Sequence, residues 1–129
     1  MVSNLILNPW TKADGMVITL ISLWLQYKEA GEREHVHAIE LIDGGFRPTV
    51  VYDFYDDLII SELAESYDKT KRPLKPLLKP TAKGITTFLK IYRKRLENKP
   101  KSQIEIVLLE EVCKALEKLQ TLLFSSERH

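Results

Sequence analysis

Apolar residues along this chain fall in blocks at helical spacing, and the polar residues between them mark where each helix should stop. The block MVITLISLWL at 16–25 is interrupted by Thr19 and Ser22 and followed by Gln26. These three polar positions recur at helical intervals, so the helix around them is expected to be mostly buried. TKAD, beginning at Thr11, offers an N-cap with an acid three residues on, and Gly31 stands where a helix would end. A first helix is therefore predicted from about Lys12 to Ala30. A third is predicted over TVVYDFYDDLIISELAESYD, with Pro48 well placed at its start. At about 100° per residue, Val51, Phe54, Tyr55 and Leu58 share one side of it, and Asp53, Asp56 and Asp57 share the other.

The clearest pattern is in the last third. Ile85, Phe88, Leu89, Tyr92 and Leu96 define the buried face of a fourth helix, which Pro80 is expected to open and which Asn98 and Pro100 stop. Lys83, Lys90 and Lys94 project from its opposite side, within about 40° of one another. Ser102 and Glu105 form a capping box for a fifth helix reaching to about Phe124. Its apolar stripe, Leu108, Val112, Ala115, Leu119 and Leu122 with Leu109, Cys113, Leu116 and Leu123 alongside, is wide enough for a bundle core. The stretch between the first and third helices reads two ways. As a second helix, Val36, Ile39 and Ile42 share a face and Asp43-Gly44-Gly45 ends it. As a strand, HVHAIELI pairs with TVVYDF in a β-hairpin. Helix is preferred, because Glu-Arg-Glu at 32–34 and Glu40 fit poorly on a half-buried strand. The expectation is an all-α single domain over residues 1–129. Its form is a four- to five-helix bundle ending in an antiparallel helical hairpin.

Charge changes this picture more than composition does. The net charge is +1, yet residues 69–101 carry twelve Lys/Arg against one acid, while residues 1–68 carry four against twelve. Within it KRPLKPLLKPTAKG, residues 71–84, makes up most of a proline-containing connector over 69–83. Lys71, Lys75, Lys79 and Lys83 are spaced four apart, but a continuous helix is opposed by Pro76 and Pro80, each costing about 3 kcal/mol in a helix interior. A turn or partly extended segment is expected instead, with Leu74, Leu77 and Leu78 tucked onto the body and the lysines in water. Together with the fourth helix this yields one basic surface: Lys71, Arg72, Lys75, Lys79, Lys83, Lys90, Arg93, Lys94 and Arg95.

The candidate chemistry is sparse. FYDD at 54–57 looks like the [YF]-x-D-D motif of reverse transcriptases and related palm polymerases, in which paired aspartates hold two metal ions. The resemblance covers four residues, lacks a third carboxylate on a neighbouring strand, and is better read as the outer face of the third helix. His35 and His37 could ligate a metal jointly on a strand, but on a helix they diverge by about 200°. Glu32-x-x-His35 and Glu34-x-x-His37 have no second E-x-x-H motif to complete a di-iron site. Cys113, the single cysteine, sits at the edge of an apolar stripe and is expected to be a structural thiol. No phosphate-cradling glycine loop or nucleophile elbow occurs. No enzyme, metal, cofactor or small-molecule substrate is therefore expected. The longest apolar run is too short to span a bilayer, for which about 20 residues are needed, and no signal peptide is evident, so a cytoplasmic protein without a membrane partner is expected. Two functional readings remain. One is a protein that binds nucleic acid or another polyanion without sequence specificity, through clustered cations. The other is an adaptor or assembly subunit whose basic and acidic faces dock an acidic protein or copies of itself.

Overall fold

The computed structural model describes residues 12–33, 35–66, 77–98 and 102–127, with side chains at 12, 13, 77 and 124–127 left aside. Five helices dominate: α1 (Lys12–Glu29), α2 (Ala38–Asp43), α3 (Pro48–Ile60), α4 (Ala82–Glu97) and α5 (Gln103–Glu127). Three short strands, β1 (Val36–His37), β2 (Ala64–Ser66) and β3 (Leu77–Pro80), form a small antiparallel sheet in the order β1-β3-β2. The all-α expectation holds in its main features, and the sheet is the addition.

Helix α1 ends as its sequence suggests. Gly31 adopts a positive φ of 68°, the Glu32 N–H reaches the Tyr27 carbonyl at 3.0 Å, and the Gly31 N–H reaches the Lys28 carbonyl at 3.2 Å. This is the Schellman arrangement, in which a left-handed residue lets the chain satisfy the last carbonyls and turn away. Helix α3 ends by the same device eight residues sooner than its sequence predicts. Glu62 takes the left-handed conformation at φ 61°, and Leu63 N–H bonds the Leu58 carbonyl at 2.9 Å. No glycine marks the place. What stops the helix is tertiary: the following residues, Ala64–Ser66, pair with β3, in the register Ala64↔Pro80 and Glu65↔Lys79.

The second helix is also corrected. The described residues of 32–43 form neither one helix nor a hairpin with TVVYDF. Val36 and His37 pair instead with Leu78 and Leu77 of β3, and His37 then caps the short α2. Its Nδ1 accepts the Ile39 N–H at 2.9 Å while Glu40 Oε2 accepts the His37 N–H at 2.9 Å, a capping box with histidine in the position usually held by Ser or Thr. Ile39, expected inside, is 46% exposed, whereas Ala38 and Leu41 are buried. Pro80 closes β3 rather than opening α4; an N–H is not required at a strand end. Thr81 is the actual N-cap, its hydroxyl accepting the Gly84 N–H at 2.9 Å and donating to the Glu62 carbonyl at 3.0 Å.

The core is one cluster drawn from all five helices and from all three strands' neighbourhoods. Trp24 and Leu20 from α1, Tyr55 from α3, Leu78 from β3, Ile85 and Tyr92 from α4, and Leu109 and Leu116 from α5 are all essentially inaccessible. The predicted apolar faces of α3 and α4 are the buried ones. On α5 the buried line runs Leu109, Val112, Cys113, Leu116 and Leu119, with Leu108 and Ala115 only partly covered, because α5 packs between α4 and α1. Two buried aromatic donors fasten the sheet to the helices: Trp24 Nε1–H to the Leu78 carbonyl at 3.0 Å and the Tyr55 hydroxyl to the Val36 carbonyl at 3.2 Å. Helices α4 and α5 pair antiparallel, with Gln120 reaching Thr86 and Arg93 reaching Glu117 across them.

Candidate functional site

The apolar face of α4 is buried, so its other side must face outward, and that side carries the cations. Lys83, Arg93, Lys90 and Lys94 are all exposed. Next to them, at the α4–α5 seam, lies an open groove of about 410 Å³ lined by Thr86, Lys90, Arg93, Lys94 and Glu97 of α4 and by Gln120 of α5. Thr86 and Gln120 were not evident as site residues. Thr86 lies on the ridge at helical spacing from Lys90 and Arg93 and could have been found by that periodicity. Gln120 comes from a different helix, and only the packing brings it there.

Of the nine sequence-predicted basic residues, the six that the structure describes sit in different surroundings. Lys71, Arg72 and Lys75, with most of the 69–83 connector, lie outside the described residues. Lys79 is half-exposed on β3 and pairs with Glu65 across the strands at 3.0 Å, while the neighbouring Leu78 is fully buried as expected. Lys83 pairs with Glu62 at 3.2 Å. Arg93 pairs with Glu117 of α5 at 2.5 Å. Lys90 and Lys94 form no ion pair with any described residue, so they are the accessible centre of the ridge. The pairs at Lys83 and Arg93 are well exposed, and surface pairs of this kind contribute little to stability. A phosphate could exchange for their carboxylates at small cost.

Arg95 belongs to a different environment. One Nη lies 3.1 Å from Asp14 on α1, the guanidinium sits 5.4 Å from the centre of the Tyr92 ring, and the Tyr92 hydroxyl donates to the same Asp14 carboxylate at 3.1 Å. Asp14 is only 7% exposed. This cluster ties α4 to α1 and takes Arg95 out of the Arg93-Lys94-Arg95 triplet. Arg95→Ala is expected to destabilise the fold by about 1–3 kcal/mol, below the usual figure for a broken buried pair because the arginine is partly exposed. Denaturant unfolding checks this. A variant of unchanged stability would return Arg95 to the exposed ridge.

The histidine and acidic candidates find ordinary structural places. His37 is a helix cap. His35 is half-buried, and burial, then the nearby Arg33 charge, pull its pKa below the ordinary histidine value. Arg33 stacks 4.3 Å from the Tyr27 ring and pairs with Glu40 at 2.8 Å; the Tyr27 hydroxyl also donates to Glu40. Glu40 thus joins α1, β1 and α2, and Glu34 lies outside the described residues. Asp53, Asp56 and Asp57 are exposed on α3. Cys113 is 7% exposed, and burial pushes its thiol pKa up, away from the thiolate a nucleophile needs. Among the described residues no group of three or more His, Cys, Asp or Glu is arranged to hold a metal ion, and no helix is long and apolar enough to cross a membrane.

The fold and its basic ridge define a small helical protein with a cationic seam between two antiparallel helices. Comparisons with protein-family models, with curated proteins and with solved structures give no significant match to this chain.

Proposed function

We propose that this is a non-enzymatic protein that binds nucleic acid or a similar polyanion without sequence specificity, along the outer side of α4. The observation that carries this reading is the pair Lys90 and Lys94, exposed, unengaged by any described carboxylate, and set beside an open groove with Arg93, Thr86 and Gln120. Clustered cations gain affinity by releasing counterions from the polyanion, and the hydroxyl and amide add hydrogen bonds to phosphate oxygens. Lys79, Lys83 and the connector residues Lys71, Arg72 and Lys75 would extend the contact. The aromatics Phe88 and Tyr92 are buried, so they offer no stacking platform, and contacts to phosphate alone carry no sequence information.

An electrophoretic shift with single- and double-stranded DNA and RNA over a salt series tests it. Log affinity should fall with log salt at a slope of roughly −3 for three to four phosphate contacts, and each Lys→Ala change on the ridge should reduce that slope by about 1. Lys83/Lys90/Lys94→Glu should abolish the shift. No shift by the wild-type protein near physiological salt would overturn the proposal.

A second reading, an adaptor or assembly subunit, is favoured by a separate observation. Lys79, Lys83, Arg93 and Arg95 already face carboxylates of their own chain. Among the described residues of α4 this leaves Lys90 and Lys94 as a compact pair, a size suited to one acidic protein helix.

A further inference from the structure

We propose that the acidic outer face of α3 docks on the α4 ridge of a second copy of this chain. This names the occupant in the assembly reading above and does not depend on the polyanion reading. On α3, Asp53, Asp56, Asp57 and Ile60 fall within about 100° of arc. All are exposed, Ile60 to 79%, and none of the three aspartates forms an ion pair with a described residue. An isoleucine so exposed within an acidic row, on a helix whose opposite side fills the core, has no role in the fold itself. On α4 the matching features are Lys90 and Lys94, with Ile91 beside them at 44% exposure.

The two rows fit one another. Asp53 and Asp57 are one helical turn apart, as are Lys90 and Lys94, so both pairs are separated by about 6 Å along their helices. Laid antiparallel, Asp57 faces Lys90 and Asp53 faces Lys94. The same register puts Ile60, three residues beyond Asp57, over Thr87, three residues before Lys90. Thr87 neighbours Ile91 at i, i+4 on α4. This register pairs both charges and sets Ile60 against Thr87, with Ile91 one helical turn away, level with Asp56. The parallel register pairs the charges but carries Ile60 past Ile91 toward Glu97 at the helix end. Antiparallel docking is the arrangement that keeps Ile60 over the body of α4. Because Lys90 and Lys94 also serve the polyanion site, self-docking and polyanion binding compete for one surface.

The test is a charge swap read by sedimentation velocity. Wild-type protein should self-associate with concentration at low salt and dissociate at high salt, since exposed ion pairs are screened within about a Debye length. Asp53→Lys/Asp57→Lys and Lys90→Glu/Lys94→Glu should each weaken association on the order of tenfold or more. All four positions are exposed, and circular dichroism confirms that the variants remain folded. An equimolar mixture of the two variants should associate again, because the reversed rows are complementary. Ile60→Ser should weaken association with the charges intact and serves as the independent variant. A wild type that stays monomeric at low salt, or a mixture that fails to associate, overturns the proposal. The same variants separate it from the polyanion reading in a shift assay. Asp53→Lys/Asp57→Lys loses self-docking yet keeps polyanion binding, whereas a polyanion shift absent from a wild type that self-associates sinks that reading alone.

Discussion

Gly84→Ala is expected to destabilise this protein by about 3–5 kcal/mol, although it replaces a helical glycine with the best helix former. On an open helix the change would help by about 1 kcal/mol. Here the added Cβ would stand 1.7 Å from the Leu63 carbonyl oxygen and 2.6 Å from its carbon. Those are backbone atoms, so no rotamer change relieves the overlap. The turn over 61–63 would have to lift off α4, breaking the Thr81 hydroxyl's contact with the Glu62 carbonyl and separating β2 from β3. For a chain of this length the melting temperature should drop by about 10–20 °C. Thermal unfolding followed by circular dichroism checks it. A small change, or a gain, would mean that the turn does not pack against α4 at this distance. Thr81→Ala supplies the scale, since it removes the N-cap, worth about 1 kcal/mol, and the Glu62 contact without adding any overlap.

The second large effect is an alkaline transition. The Tyr55 hydroxyl donates to a buried carbonyl, and the Tyr92 hydroxyl to the buried Asp14 carboxylate. Burial, before any charge effect, raises both pKa values far above the ordinary 10.0. Glu40 adds to the shift at Tyr55 and Asp14 to that at Tyr92, with Arg95 opposing the latter. The unfolded chain releases these protons near pH 10 while the native state holds them. Their contribution to stability is therefore complete below pH 10 and is lost as pH rises above it. The loss is about 1.4 kcal/mol per pH unit for each tyrosine, or roughly 3 kcal/mol per unit for both. The phenolate absorbance of Tyr55 and Tyr92 should appear together with loss of helical ellipticity in one cooperative step. Tyr55→Phe/Tyr92→Phe should move that step to higher pH. Smooth ionisation of all tyrosines near pH 10 with helices intact would contradict it.

The comparison of pattern with structure separates along clear physical lines. The apolar faces of α3 and α4 were legible because a regular helix repeats its register, and a single run of residues suffices to show which side is dry. Gly31 and Ser102 were legible as a stop and a start for the same reason: each acts on its own helix, through a positive φ in one case and through a hydroxyl 3.1 Å from the Glu105 N–H in the other. The outward lysines of α4 followed from the inward residues. The early end of α3 at Ile60 was not legible, since Glu62 is forced into the left-handed region by a strand pairing with residues more than ten positions away. The His37 cap was missed because histidine rarely plays that part, and β1 because two residues carry no periodicity.

The same division governs the candidate site. That a cationic ridge exists on α4 follows from sequence alone: charge is a property of residue type, and helical spacing gathers Lys83, Lys90 and Lys94 on one side. Which of those cations are available was decided only by the tertiary structure. Neutralisation depends on distances of about 3 Å between residues far apart in the chain, such as Arg95 and Asp14 or Arg93 and Glu117. Packing of α5 against α4 added Gln120 to the groove, and packing of α1 removed Arg95 from the ridge. Residue order thus determined the helices and the sign of their faces. Long-range packing determined where α3 stops, that a sheet joins α1 to α3 and α4, and that Lys90 and Lys94 are, among the described residues, the cations of the α4 ridge with no carboxylate beside them.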